Sequence, residues 1–276
     1  MKRLIASSLF LLLALTLSAA GQTREFRHAV PFQPGGELVF DTDKGSVKLT
    51  SWERNEVSVY ARIEPDENMD ADYARRAVEA AQVEITGDAS RLSIRSNFDA
   101  VPNKSLERWN QSRTLPHIHY EIRAPRSLNL RLTADRSRVD VQGFAGRLQL
   151  QTDRSPVEAR ELAGEIQIKV DRGEIKLDAL RGSLNLNTDR TNSRIAAFAI
   201  EGDSRLNVSR GEVEVSVPNA QRLSVSARTG RRENFRTDFS LSTNSFKNDQ
   251  IEGTINGGGP RLSVEGDRSN VYLRRQ

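Results

Sequence analysis

An Asp-Arg pair returns every 18 residues through the middle of this 276-residue chain. The four pairs are Asp135-Arg136, Asp153-Arg154, Asp171-Arg172 and Asp189-Arg190. Apolar and polar residues alternate on both sides of each pair, which is typical of strands with one buried face. A glycine recurs at the same period, at Gly146, Gly164 and Gly182. The sequence therefore predicts a unit of strand, Asp-Arg turn, strand and Gly turn.

A fixed period of this length indicates a repeat architecture, because one unit cannot bury its apolar face alone whereas stacked units can. The predicted fold class is all-β. The period becomes less regular towards the end of the chain, where an insertion of two residues is needed before Ser209-Arg210 and the pattern returns at Asp267-Arg268. Near the other end, Asp43-Lys44 repeats the same turn.

One segment departs from this alternation. Residues 71–82 place alanine and valine at helical spacing, and Asp70 is in position to cap the helix. Residues 97–114 are predicted to form a surface loop. We therefore expect N-terminal strands with this short helix and loop over 21–125. A repetitive region over 126–276 is expected to continue from them as one elongated domain.

The first 20 residues have the composition of a secretory signal peptide: Lys2 and Arg3, an apolar run over 9–17, and small residues before a cleavage site after Ala20. The alternative, a membrane anchor, is disfavoured because the run is shorter than the ~20 residues that a spanning helix needs. The expected location is the periplasm, the cell surface or the medium.

Charge and cysteine content exclude several classes of partner and of stabilisation. Without the leader, 39 basic residues remain against 37 acidic ones, a net charge of +2, which does not indicate nucleic acid. The chain has no cysteine, so export brings no disulfides. No second long apolar segment follows, and no integral membrane segment is expected after cleavage.

Stacking in register would place equivalent residues ~4.8 Å apart and turn the Asp-Arg pairs into two parallel ladders. In one interpretation Asp135, Asp153, Asp171 and Asp189 are a structural turn ladder that offsets the charge of the neighbouring arginines. In the other, Arg136, Arg154, Arg172 and Arg190 form a ligand ladder that binds an acidic glycan.

Few residues suggest chemistry. His117 and His119 fall on the polar side of one strand and are weak candidates for zinc ligands, although the usual interpretation of such a pair is two polar-face histidines. Glu121 could join them only if the strand bends. The acidic segment "PDENMDAD" lacks the glycine of a calcium loop. No nucleophile elbow, phosphate loop or Ser-His-Asp arrangement is evident, so no cofactor and no enzymatic activity are expected.

The chain resembles the bacterial putative-adhesin family, a group of exported domains of unknown function. The segments that carry the resemblance are "GSVKLTSWERNEVSV", the helix, "HYEIRAPRSLNLRL" with the coils after it, and "GTINGGGPRLSVEGDRSNVYL". It extends over residues 35–276 and implies export and a right-handed parallel β-solenoid. It supplies no catalytic residues. The Asp-Arg turns replace the Gly, Ser or Asn that the family usually has there.

Three functions from different classes are compatible with these features. The first is a non-catalytic, adhesin-like interaction module of the cell envelope or surface that binds a glycan or a protein. The second is a scaffold or sensor domain that binds another envelope protein. The third is a polysaccharide-active enzyme, which is disfavoured because stacked aspartates along one turn do not face each other across a substrate.

Overall fold

The computed structural model describes residues 23–102, 115–229, 234–246 and 250–276. The predicted signal peptide, 1–20, and most of the predicted loop at 97–114 lie outside the described residues. In the part of the chain that is described, no helix is long and apolar enough to cross a membrane.

The described residues form twenty strands and one short helix, which confirms the all-β prediction and the helix near the N-terminal end. The strands up to the repeats are β1 Arg24–Pro31, β2 Glu37–Thr42, β3 Gly45–Trp52, β4 Glu56–Glu64, β5 Gln82–Gly87, β6 Arg91–Asn97 and β7 His117–Pro125, with α1 at Ala71–Ala80. The repeats contain β8 Asn129–Asp135, β9 Ser137–Gln142, β10 Ala145–Asp153, β11 Val157–Arg160, β12 Ala163–Asp178, β13 Arg181–Ala196, β14 Ala199–Ile200 and β15 Ser204–Val217. The remaining strands are β16 Leu223–Arg228, β17 Phe235–Thr237, β18 Ser242–Phe246, β19 Gln250–Ile255 and β20 Arg261–Arg275.

Successive repeats pair in parallel at the predicted register. Leu148 of β10 lies between Leu130 of β8 and Ile166 of β12, each 18 residues away. The two-residue insertion is also present, since Asp189 of β13 pairs with Ser209 of β15. Each repeat contributes one stretch before its Asp-Arg corner and one after it. The repeats thus form two ribbons of parallel strands, which we call the first face (before the corner) and the second face (after it).

The spatial order departs from the chain order at both ends of the stack. The last strand, β20, lies between β15 and β16. Near the other end, β2 lies between β6 and β8. In the same way, β3 lies between β7 and β9. Antiparallel strands complete the ends: β1, β4 and β5 at one end, β18 and β19 at the other. The sheet is therefore mixed and not closed, and the right-handed solenoid stays a prediction.

The core lies between the two faces and consists of the alternating apolar side chains of each strand. An aromatic or leucine side chain fills the same place beside the second corner of consecutive repeats: Phe144, Leu162, Leu180 and Phe198 are all buried. The helix packs on this core through Tyr73, Ala77 and Val78. Asp70 caps it as predicted, because its Oδ1 accepts a hydrogen bond of 2.9 Å from the Tyr73 amide.

Candidate binding face and the Asp-Arg ladder

The Asp-Arg corner is built on a left-handed arginine. Arg136, Arg154, Arg172 and Arg190 have φ between 46° and 63°, the region that turns the chain sharply between two strands. At three of these corners the next residue, Ser137, Ser155 or Thr191, donates its hydroxyl to the aspartate carbonyl oxygen at 2.8–2.9 Å. The corner is therefore held by the backbone and by small hydroxyl side chains.

Side chains of the ladder neutralise one another. Arg154 Nε lies 3.0 Å from Asp153 Oδ2, and its Nη2 lies 3.3 Å from Asp135 Oδ1 of the preceding repeat. Arg172 Nη2 reaches Asp153 in the same way at 3.5 Å. An anionic ligand would have to compete with these carboxylates for each guanidinium. The contacts favour the structural interpretation of the aspartates and count against an open row of arginines.

The ladder breaks where Ser209 takes the place of an aspartate. Arg210 has no aspartate directly before it at its corner and donates instead to Asp189 of the preceding repeat, with Nη2 2.8 Å from Oδ1. Desolvation acts to raise the pKa of Asp189, but hydrogen bonds from Arg210 and Arg190 outweigh it and hold that pKa below its usual range. On the other side of the break, Arg268 lies 3.5 Å from Asp267, and their side chains are 76% and 68% exposed.

Arg172→Ala is expected to lower the free energy of unfolding by less than about 1 kcal/mol, because the pair is exposed and Asp153 keeps Arg154. Alanine has the same left-handed strain at this corner as arginine, so the variant isolates the ion pair. Urea unfolding followed by circular dichroism measures the change. A loss above about 2 kcal/mol would show that the ladder is a major source of stability.

Outward from the first face, beside the ladder, lies a set of amide side chains that we call the amide face: Gln149, Gln167, Asn185, Asn187 and Asn207. Gln149 Nε2 donates to Gln167 Oε1 at 3.4 Å. Asn207 donates to Asn187 at 2.7 Å, and Asn187 donates to Asn185 at 3.1 Å. Sequence analysis missed this face, although its first three members are themselves 18 residues apart.

The amide face is not flat. One groove of about 370 Å³ lies over Gln149, Gln167 and Asn185. A second, of about 610 Å³, lies at the ladder break and shares Lys169 and Asn187 with the first; we call it the break groove. A third, of about 260 Å³, adjoins the first at Arg131 and Gln149. Together the three grooves follow the stacking direction, so an extended molecule could contact several repeats at once.

The two candidate metal ligands, His117 and His119, lie on the polar side of β7 as predicted, but carboxylates already engage them. His117 Nε2 lies 3.0 Å from Asp66 Oδ2, and His119 Nε2 lies 2.8 Å from Glu64 Oε1. Their rings stack at 5.9 Å. Among the described residues, no group of three His, Asp or Glu side chains is placed to hold a metal ion.

Asp66 is the centre of a compact polar cluster. Lys44, which occupies the ladder position of its own turn, donates to Asp66 at 2.7 Å, and both side chains are nearly buried. Partial burial acts to raise the pKa of Asp66, but hydrogen bonds from Lys44, the Asn68 amide and His117 lower it well below its usual range. The cluster fixes the start of the segment that leads into the helix.

Another contact was not foreseen from the sequence. Ser46 Oγ lies 2.8 Å from His119 Nδ1, on the opposite side of the ring from Glu64. Desolvation lowers the pKa of His119, while Glu64 acts against it. The order resembles a nucleophile, a base and an acid. However, β3 pairs with β7 on one side and β9 on the other, so the amides around Ser46 donate within the sheet and provide no oxyanion hole. The described residues thus give no positive evidence of catalysis.

The sequence matches no protein-family model and no curated protein. Among solved structures it is similar to a "putative cell adhesion protein" from Clostridium sporogenes, with 9% identity, a TM-score of 0.41, and coverage of 92% of this chain and 100% of that chain. It is also similar to a "putative adhesin" from Bacteroides fragilis, with 11% identity, a TM-score of 0.37, and coverage of 92% and 97%. A "putative adhesin" from Parabacteroides merdae has 9% identity, a TM-score of 0.33, and coverage of 94% and 99%.

Proposed function

We propose that this chain is a non-catalytic, exported interaction module that binds a component of the cell envelope through its amide face. The observation that carries the proposal is the run of grooves along one rigid face, lined by amides that both donate and accept hydrogen bonds. A surface of this kind suits an extended, polar molecule with many hydrogen-bonding groups.

The architecture that supports this function is a right-handed parallel β-solenoid in one elongated domain over 21–276, preceded by a leader at 1–20. Parallel pairing at a constant offset, as between β12 and β13, supports the solenoid. Such a stack presents the same side-chain position at each step along its axis. A polymer with its own repeat can therefore contact successive coils in the same way.

The internal pairing of the ladder favours hydrogen bonding over charge as the basis of recognition. Arg154 and Arg172 each have an aspartate within 3.5 Å, so an acidic ligand gains little net attraction from them. Binding through amides should depend only weakly on ionic strength, because salt screens interactions between charges.

A pull-down of the purified protein on neutral polysaccharides, acidic polysaccharides and peptidoglycan, at low and at high salt, tests the proposal. We expect retention on a neutral matrix that changes little with salt. The double variant Gln149→Ala/Gln167→Ala should lose most of this retention, because it removes two neighbouring amides of the face. The matched control Arg154→Ser/Arg172→Ser should keep it.

The reverse pattern would contradict a role for the amide face. Retention on an acidic glycan that falls with salt and disappears in Arg154→Ser/Arg172→Ser would make the arginine ladder the site. Absence of retention on every glycan and on peptidoglycan would instead direct the search to a protein partner.

A groove on the second face favours a second candidate, a scaffold or sensor domain that binds another envelope protein. It has a volume of about 570 Å³ and carries charges of both signs, with Lys48, Arg62 and Arg138 close to Glu121 and Asp140. Mixed charges of this kind suit a protein surface with a complementary pattern. Loss of a captured envelope protein in Lys48→Ala, with glycan retention unchanged, would support this candidate.

A further inference from the structure

We propose that the break groove binds one neutral sugar unit of a glycan, and that Asn207 is the residue that recognises a hydroxyl of that unit. This inference rests on the proposed function and assigns it a ligand class and a position. The groove lies where Ser209 interrupts the ladder and where β20 inserts between β15 and β16.

The amide relay ends in this groove with an unused acceptor. Asn187 donates to Asn185, and Asn207 donates to Asn187, so the relay runs towards Asn185 and the side-chain oxygen of Asn207 remains at its other end. Within the described parts of the chain, Asn207 Oδ1 is buried and has no hydrogen-bond partner. Thr188 Oγ1, in the same groove, has none either, and that residue is 6% exposed. A buried polar atom without a partner is costly, and a ligand that supplies one gains that free energy.

The next residue in the row cannot satisfy Asn207. This residue is Glu265 of β20, which pairs with Asn207 of β15. An ionised glutamate side chain has only hydrogen-bond acceptors, so it cannot donate to the Asn207 oxygen. The residue beyond Glu265 is Arg228 of β16, a donor. The row therefore presents acceptor, acceptor and donor in succession. Adjacent hydroxyls of a sugar can donate to the first two and accept from the third.

The charges that line the groove are balanced. Asp189 is paired with Arg210 and Arg190, and Asp267 contacts Arg268. Of the other charged residues in the lining, two are positive, Lys169 and Arg228, and two are negative, Asp171 and Glu265. A cationic ligand could donate to the acceptors but would be repelled by the two positive side chains. An anionic ligand would be repelled by the two carboxylates. The balance of charge therefore favours a neutral ligand. The volume of about 610 Å³ is within the range of small-molecule sites and has room for a sugar ring.

Binding requires a small movement of the site. Because Asn207 Oδ1 is not open to bulk water, its side chain must turn towards a donor that enters the groove. The relay bond to Asn187 at 2.7 Å limits how far it can turn and fixes the direction from which the hydroxyl approaches. Recognition should therefore depend on the orientation of the hydroxyl and differ between sugars.

Isothermal titration of the purified protein with the hexasaccharides of cellulose, starch and chitin, and with polygalacturonate, tests this inference at about 50 mM and about 500 mM NaCl. We expect one neutral hexasaccharide to bind with a Kd that changes less than about twofold with salt, since the ligand is uncharged. Asn207→Ala should weaken that binding about tenfold, the usual size of one lost hydrogen bond of this kind.

Asn270→Ala is the matched control, because Asn270 is an exposed amide on the neighbouring strand, β20, and lies after the Asp-Arg corner, whereas Asn207 lies before its own corner. It should leave the Kd unchanged. Equal binding by Asn207→Ala and the parent, with loss in Gln149→Ala/Gln167→Ala, would overturn the break groove as the site while the proposed function stands. Binding of polygalacturonate alone, or of no neutral hexasaccharide, would overturn the inference, and the pull-down then decides the proposed function by itself.

Discussion

Ile168→Asp is expected to prevent stable folding, with a loss of more than about 4 kcal/mol in the free energy of unfolding. Ile168 is 1% exposed and lies in β12 between Leu150 and Leu186 of the neighbouring repeats. A carboxylate at this place would be surrounded by apolar side chains and would have no partner. The cost is the desolvation of a charge, or of a protonated acid, in addition to the lost packing.

The adjacent residue provides the control. Lys169 lies on the same strand with its side chain outside, so Lys169→Asp should change the free energy of unfolding by less than about 1 kcal/mol. Urea unfolding of both variants, followed by circular dichroism, gives the comparison. If Lys169→Asp unfolded the protein and Ile168→Asp did not, the assignment of inward and outward sides would be reversed.

Much of the repeat region could be predicted because its information is local. Alternation with a period of two determines which side chains are buried, and the 18-residue period determines which residues become neighbours. The structure accordingly pairs Asp135 with Asp153, and Asp153 with Asp171. The cap at Asp70 was predictable for the same reason, since it depends on residues three apart.

The ends of the stack could not be predicted in this way. Asp267-Arg268 has the same local pattern as the other corners, and nothing in that pattern says which repeat it pairs with. The structure pairs Asp267 of β20 with Ser209 of β15. Strand β16, which comes before β20 in the chain, pairs with the opposite edge of β20. Strands that share the same alternation of apolar and polar residues cannot be told apart by that pattern. Their order in the sheet is decided by packing and by the length of the connections.

The candidate site shows the same division. The spacing of Gln149, Gln167 and Asn185 could have revealed the amide face, but the charged pairs beside it have the more conspicuous pattern. The contact between Ser46 and His119 depends on β3 and β7 being neighbours, and 73 residues separate the two side chains in the chain. The unused acceptor of Asn207 depends on the insertion of β20, which the sequence pattern does not specify.

Gly164→Ala is expected to cost about 3 kcal/mol or more, although it adds a single methyl group. A Cβ at Gly164 would lie 2.3 Å from the carbonyl oxygen of Gly146 in the preceding repeat. The glycines form a column, since a Cβ at Gly182 would lie 2.1 Å from the carbonyl oxygen of Gly164. Neither backbone can move away without breaking the parallel pairs of β10, β12 and β13, which hold this column in register.

Gly35→Ala separates this close approach from backbone strain. Gly35 also has a positive φ, 82°, but a Cβ there would meet no atom within 4 Å. Its substitution should therefore cost only the strain of a left-handed alanine, about 1 kcal/mol. Thermal and urea unfolding of the two variants give the difference, which we attribute to the contact between repeats. Equal losses would mean that the stack can open by several tenths of an ångström at the glycine column, and that tight backbone packing between repeats is not what holds the register.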